Sequence, residues 1–218
     1  METAIITAFE PFGEESINPT EAVIEHIPDM LYNTRIVKVT LPVVYNFAFD
    51  RLLPLIEEHQ PKLIIQLGLA LGRPRISIER VALNVNHADM ADNLGNKKQY
   101  ELIEPYGPDG LFTTFPVERL MHRLKEKGVP TTVSNTAGGF VCNNLFYKTL
   151  HYVKAMHKPA DVGFMHVPAL PEQAIGKNIA SMEQSHMVSA LMVVLDTMLN
   201  PVDIKKQAQK VTGAKKVR

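Results

Sequence analysis

Apolar residues recur along this chain in two rhythms. Short runs that are continuously apolar or alternate with polar residues predict strands over Thr3 to Phe9, Arg35 to Leu41, Lys62 to Gly68, Ile76 to Val85, Thr131 to Ser134 and Asp161 to Val167. Spacings of three and four predict helices between them: from Asn18, over Val43 to Glu58 with Pro54 as a kink, over Pro116 to Lys127, after Cys142, and after Ser181. Asn18-Pro19-Thr20-Glu21 reads as a helix start, with Asn at the N-cap, Pro at N1 and Glu at N3. Ser181 and Gln184 have capping-box spacing for a last helix whose stripe is Met187, Ala190, Leu191, Val194, Leu195 and Met198. Strands that alternate with helices of this length predict an α/β fold, a mainly parallel sheet with helices on both faces.

Breaks in the rhythm mark the chemistry. The first strand runs into Glu10-Pro11-Phe12-Gly13, a turn carrying two exposed-looking aromatics, Phe9 and Phe12. The third ends in a glycine-containing loop, Gly68 to Pro74, at the strand edge where ligands bind in open α/β sheets. Its spacing matches no dinucleotide or Walker loop. From Asn86 to Gly110 the chain is polar and aperiodic, the mark of a functional or mobile loop. Glu79 sits inside a strand run, either at the end of a buried face or beside a buried partner.

Cys142 is the only cysteine, and it falls just after Gly138-Gly139 at a predicted helix N-terminus. Periodicity alone makes it a small core hydrophobe, in line with Leu145, Phe146, Thr149, Leu150 and Val153. Its position points the other way, because first-turn N–H groups favour a thiolate and can receive an oxyanion. A thiol acyl-transfer site also needs an imidazole and an orienting carboxylate. Of eight histidines, His166 stands out because a strand delivers it to a Pro-bracketed loop, and Glu79 is the carboxylate on a comparable strand. No metal-ligand spacing occurs, and neither a metal nor any other cofactor is expected; the lack of a Gly-x-Ser-x-Gly elbow weighs against a serine hydrolase.

Composition narrows the rest. Lys+Arg and Asp+Glu are 23 each, a balance that excludes broad attraction to nucleic acid or anionic membrane. The start Met-Glu-Thr-Ala-Ile-Ile lacks a basic and apolar leader pattern, and a lone thiol forms no disulfide framework, so a cytoplasmic location is expected. A length of 218 residues suits a single domain over 1–218, with six Lys or Arg against one Asp in a frayed tail from Pro201.

Taken together the motifs resemble the pyroglutamyl peptidases of type I, the cysteine peptidase family C15. The resemblance is carried by Thr7-Ala8-Phe9-Glu10-Pro11-Phe12-Gly13, Asn18-Pro19-Thr20, Leu41-Pro42-Val43 and Ile78-Glu79-Arg80-Val81-Ala82-Leu83-Asn84. It continues in Ser134-Asn135-Thr136-Ala137-Gly138, Phe140-Val141-Cys142-Asn143, Gly163-Phe164-Met165-His166-Val167-Pro168 and Leu170-Pro171-Glu172-Gln173. It implies a three-layer α/β/α sandwich, often a homotetramer, that removes N-terminal pyroglutamate from peptides. Carried over by motif, Cys142 is the nucleophile, His166 the general base and acid, and Glu79 the residue that orients His166. Phe9, Phe12, Phe140 and Val141 match the pocket for the lactam ring, with Asn18 and position 69 beside it. Two departures stand out. Where the family usually reads Gly-Gln-Ala-Gly-Gly-Arg this chain has Leu69 for the glutamine, and Asp89 stands where an arginine is usual. They leave room for a related acyl hydrolase of altered N-terminal specificity, or for a silent ligand-binding homologue.

Overall fold

The structure, a computed structural model, describes residues 1–200; the expected basic tail lies outside the described residues. In chain order the strands are β1 (Glu2–Phe9), β2 (Met30–Leu31), β3 (Thr34–Leu41), β4 (Leu63–Leu69), β5 (Ile76–Glu79), β6 (Val81–Leu83), β7 (Gly110–Phe112), β8 (Thr131–Ser134) and β9 (Asp161–Val167). The helices are α1 (Pro19–Glu25), α2 (Phe47–His59), α3 (Val117–Glu126), α4 (Val141–Ala155), α5 (Pro171–Ala174) and α6 (Gln184–Leu199). Seven strands form one sheet in the order β2-β3-β1-β4-β9-β5-β8, and β6 pairs with β7 in a small second sheet. The sheet is mixed: β3, β1, β4 and β9 run parallel, β5 and β8 run parallel to each other, and β5 is antiparallel to β9.

Because side chains alternate along a strand, the central strands feed two cores. Ala4, Ile6 and Ala8 of β1, Leu63, Ile65 and Leu67 of β4, and Ile76 and Ile78 of β5 pack with α1, α3 and α6. Ile5, Phe9, Ile64, Val162 and Phe164 pack with α2 and α4. Both faces are thus covered, giving the three layers, and each fully buried large side chain contributes roughly 1.5–3 kcal/mol.

Local pattern and structure part company at four places. The run Ile76 to Val85 is two strands: after Glu79 the chain leaves the main sheet, the Arg80 N–H bonds the Ser134 carbonyl (2.7 Å), and Val81–Leu83 pairs with Gly110–Phe112. Helix α2 starts at Phe47 instead of Val43, because Asn46 has a left-handed φ of 62° that a helix does not admit, and the N–H groups of Tyr45 and Asn46 bond Asp92 Oδ2 and Asn144 Oδ1, each at 3.0 Å. The Ser181–Gln184 capping box does not form: Met182 N–H bonds the Ala169 carbonyl (2.8 Å), Ser181 bridges Ala169, and Glu183 takes the N-cap of α6. Phe9 is buried, only 2% exposed, while Phe12 remains partly exposed. The α1 start is as the sequence reads, with Asn18 at the N-cap accepting from the Thr20 N–H.

Candidate active site

The same alternation that splits the core decides which side chains meet. Glu79 and Ser77 of β5 point to the face opposite Ile76 and Ile78, and His166 shares the α2/α4 face with Val162 and Phe164. In the antiparallel β5/β9 pair Ser77 lies opposite His166, which makes Glu79 its diagonal neighbour on the same face. His166 Nδ1 lies 2.7 Å from Glu79 Oε1. An ionised carboxylate only accepts, so Nδ1 carries the proton and Nε2 keeps its lone pair.

Glu79 is fully buried, and a second donor holds the same oxygen: Arg73 Nη1, from the loop after β4, at 2.6 Å. Burial pushes the Glu79 carboxyl up, but the bonds and charge of His166, together with Ser134 and Arg73, outweigh it and hold the pKa below the ordinary value. The Ser134 hydroxyl is turned to the Thr136 carbonyl (3.0 Å), so among the described residues Oε2 has no hydrogen bond of normal geometry. Burial depresses the His166 pKa; Glu79 opposes this and the Arg73 charge adds to it.

Cys142 is the second residue of α4, which covers this face. It lies over Gly68, where a Cβ would come 2.9 Å from Cys142 Sγ and 2.9 Å from the Phe164 ring. Only glycine leaves that space beside His166, its partner across β4/β9. Gly139 serves similarly: a Cβ there would sit 2.4 Å from the His87 carbonyl oxygen. Two asparagines fix the helix end. Asn143 accepts from Leu83 N–H (2.9 Å) and donates to the carbonyls of Leu83 and Val85 (2.8 and 3.0 Å). Asn144 donates to Asn86 Oδ1 (3.0 Å) besides accepting from Asn46.

Two effects oppose each other at this thiol, the helix start that favours a thiolate and the packing around it. Burial, and after it the negative charge of Glu79, push the Cys142 thiol up to about 12, against the opposing pull of Arg73 and its own N–H. The residue still keeps partial exposure toward a cleft.

That cleft measures about 420 Å³ and is lined by Phe12, Leu69, Ala70, Leu71, Arg73, Ala88, Asp89, Met90, Ala137, Phe140, Cys142 and His166. Phe140 is set between Phe12 (ring centroids 6.0 Å) and the edge of Tyr45 (5.5 Å). Of the six sequence-derived pocket residues, Phe12, Leu69 and Phe140 line this space. Phe9 and Val141 lie beneath it in the core, and Asn18 is buried with its Oδ1 accepting from Thr20 N and Oγ1 and its Nδ2 donating to the Glu10 carbonyl. Asp89 is exposed on the rim, and Leu69 is 5% exposed at the end of β4. A larger groove of about 890 Å³ runs past Phe112 and Arg119, but among the described residues no cysteine or histidine lines it. The sequence reading missed Arg73, Gly68, Asn143 and Asn144. One signal was available for Arg73: a carboxylate in an apolar strand requires a cationic or multiply donating partner.

A thiol, an imidazole and a carboxylate on one covered face of an α/β sheet, at the wall of a small cleft, are the equipment of a cysteine-type hydrolase. The pyroglutamyl peptidase family profile matches residues 2–200, so the chain belongs to that family. It is 40% identical over 195 residues to the pyrrolidone-carboxylate peptidase of Thermococcus onnurineus, covering 89% of this chain and 98% of that one. The corresponding protein of Thermosipho africanus is 37% identical over 196 residues, with 89% and 96% coverage. The crystal structure of pyroglutamyl peptidase I from Bacillus amyloliquefaciens superposes with a TM-score of 0.85 at 38% identity, covering 89% of this chain and 93% of that chain. A mutant pyrrolidone carboxyl peptidase of Pyrococcus furiosus gives 0.88 at 36% identity, with 92% and 99% coverage.

Proposed function

We propose that this protein hydrolyses the bond after an N-terminal pyroglutamyl residue, with Cys142 as nucleophile, His166 as base and then acid, and Glu79 orienting the imidazole. The observation that carries the reading is the 2.7 Å bond from Glu79 to His166 on the wall of the cleft that Cys142 also lines. As sulfur attacks the pyroglutamyl carbonyl, its proton passes to His166 Nε2, so no preformed thiolate is needed. The oxyanion is received by first-turn N–H groups at the N-terminus of α4, where helix geometry leaves them without intrahelical acceptors. The imidazolium protonates the leaving amine, the C–N bond breaks, and a thioester remains on Cys142. Water, deprotonated by His166, then releases pyroglutamate and restores the thiol. A buried, ionised Glu79 stabilises the transient imidazolium.

The small ring sits against Phe12, Phe140 and Leu69, with Phe9, Val141 and the capped Asn18 as the supporting layer. Among the described residues no side-chain amide lines the cleft, so the polar edge of the lactam is met by backbone groups. The protein acts as one domain in a reducing compartment, a cytoplasmic setting that its single, functional thiol favours, and assembles as a homotetramer as the family resemblance implies. Its partners are peptides; the charge balance favours neither nucleic acid nor membrane, and no cofactor is required.

Fluorogenic pyroglutamyl, prolyl and alanyl amides given to the purified protein test the activity. Turnover of the pyroglutamyl amide alone supports the reading, whereas turnover of the amides with free amino groups instead would replace it with altered specificity. Light scattering of the same sample tests the tetramer.

A further inference from the structure

The rim of the cleft carries one charge that no described residue answers. Asp89 is exposed, lines the cleft, and among the described residues has no hydrogen bond or ion pair. Its segment is held firmly on both sides: His87 N–H bonds the Gly139 carbonyl (2.8 Å), Ala88 N–H bonds the Lys98 carbonyl (3.1 Å), and Asn93 N–H bonds the Val43 carbonyl (3.0 Å). The buried Asp92 carboxylate ties the following turn to Tyr45 N–H (3.0 Å) and to the Leu94 and Asn96 N–H groups. The backbone on either side of Asp89 is therefore fixed at the cleft rim. The cleft's guanidinium, Arg73, is already paired with Glu79 at 2.6 Å, which leaves Asp89 as the other charged side chain of the cleft lining. Beside Asp89 stand two exposed aliphatic side chains, Leu71 (45%) and Met90 (39%), and Met90 Cε packs against the Gly13 turn.

We infer that this rim selects peptides whose residue after pyroglutamate is lysine or arginine. The inference rests on the pyroglutamyl reading and names its preferred substrates. Of the lining residues Leu69 and Ala137 are buried while Leu71, Asp89 and Met90 are exposed, so a leaving peptide that runs out to solvent passes this rim. A long alkyl stem covers Leu71 and Met90 while the cation at its tip reaches Asp89, an arrangement neither a short nor an acidic side chain reproduces.

The test compares kcat/KM for pyroglutamyl-lysyl-alanine, pyroglutamyl-leucyl-alanine, pyroglutamyl-alanyl-alanine and pyroglutamyl-glutamyl-alanine by measuring pyroglutamate release. The expected order is Lys, Leu, Ala, Glu, with Lys ahead of Leu by about threefold, the size of an exposed ion pair. The Lys-to-Leu ratio falls toward one in Asp89→Asn and at high salt, and Asp89→Lys moves the preference toward Glu. A ratio near one in the unaltered protein, or a ratio that survives Asp89→Asn, overturns the inference while leaving the peptidase reading intact. Hydrolysis of none of the four peptides sinks the peptidase reading, and this inference with it.

Discussion

Two faces of one sheet, built from neighbouring residues, do different work. Toward α1, α3 and α6 the central strands present Ile6, Leu63, Ile65, Leu67, Ile76, Ile78, Met165 and Val167, all apolar. One residue along in each strand, the α2/α4 side holds Thr7, Gln66, Gly68, Ser77, Glu79 and His166, all buried but polar or without a side chain. The first face gains stability from every side chain. The second has an apolar core of its own in Ile5, Phe9, Ile64, Val162 and Phe164, but it also spends stability on groups that must be partnered, and even so Thr7 Oγ1, Gln66 Oε1 and Glu79 Oε2 have no hydrogen bond among the described residues. Adjacent positions such as Met165 and His166 therefore separate folding from chemistry by one step along a strand.

Substitutions on the two faces test that contrast. The largest effect is expected for His166→Ala, which removes the proposed proton-transfer group and lowers kcat/KM of the folded protein by about 10²–10⁴-fold, while leaving buried Glu79 with one partner fewer also lowers the thermal midpoint. Near-normal kcat/KM in the folded fraction would instead make His166 a packing residue. Next comes Leu67→Ala on the opposite face, expected to cost about 2–5 kcal/mol in denaturant unfolding while kcat of the folded fraction persists. Gly68→Ala should lower kcat on the order of 10²-fold, because its Cβ would push Cys142 Sγ or the Phe164 ring from place; near-normal kcat would show that the thiol tolerates displacement.

The smallest effect concerns pH. His166 must be neutral to take the thiol proton, and its pKa lies below the ordinary histidine value, so kcat/KM should rise as pH climbs through that lowered pKa and level off above it. Arg73 helps to depress this pKa, so Arg73→Met should raise it and move the acid limb to higher pH. An unmoved limb would reduce Arg73 to a structural prop.

The parts of the molecule legible in the sequence were those whose cause is local. Strand β9 is read to the residue, and α1 is announced by its own cap, because period and capping chemistry lie within a few residues. The meeting of Glu79, Cys142 and His166 was legible through motif resemblance, while their common face follows from a sheet order no local pattern encodes. The start of α2, the division of β5 from β6 and the start of α6 depend on Asp92, Ser134 and Ala169, partners far away in the chain. The thiol is a mixed case: its helix N-terminus and its apolar helical stripe can both be read locally, but the Glu79 charge that also raises its pKa comes from a distant strand.

Whether the acyl group travels through Cys142 is decided by acid quenching of the protein during turnover of a pyroglutamyl amide, followed by intact and peptide mass analysis. One added pyroglutamyl acyl group is expected on the peptide containing Cys142, absent from Cys142→Ser, which is also inactive. Undiminished hydrolysis by Cys142→Ser, or an acyl group found on another residue, would contradict it.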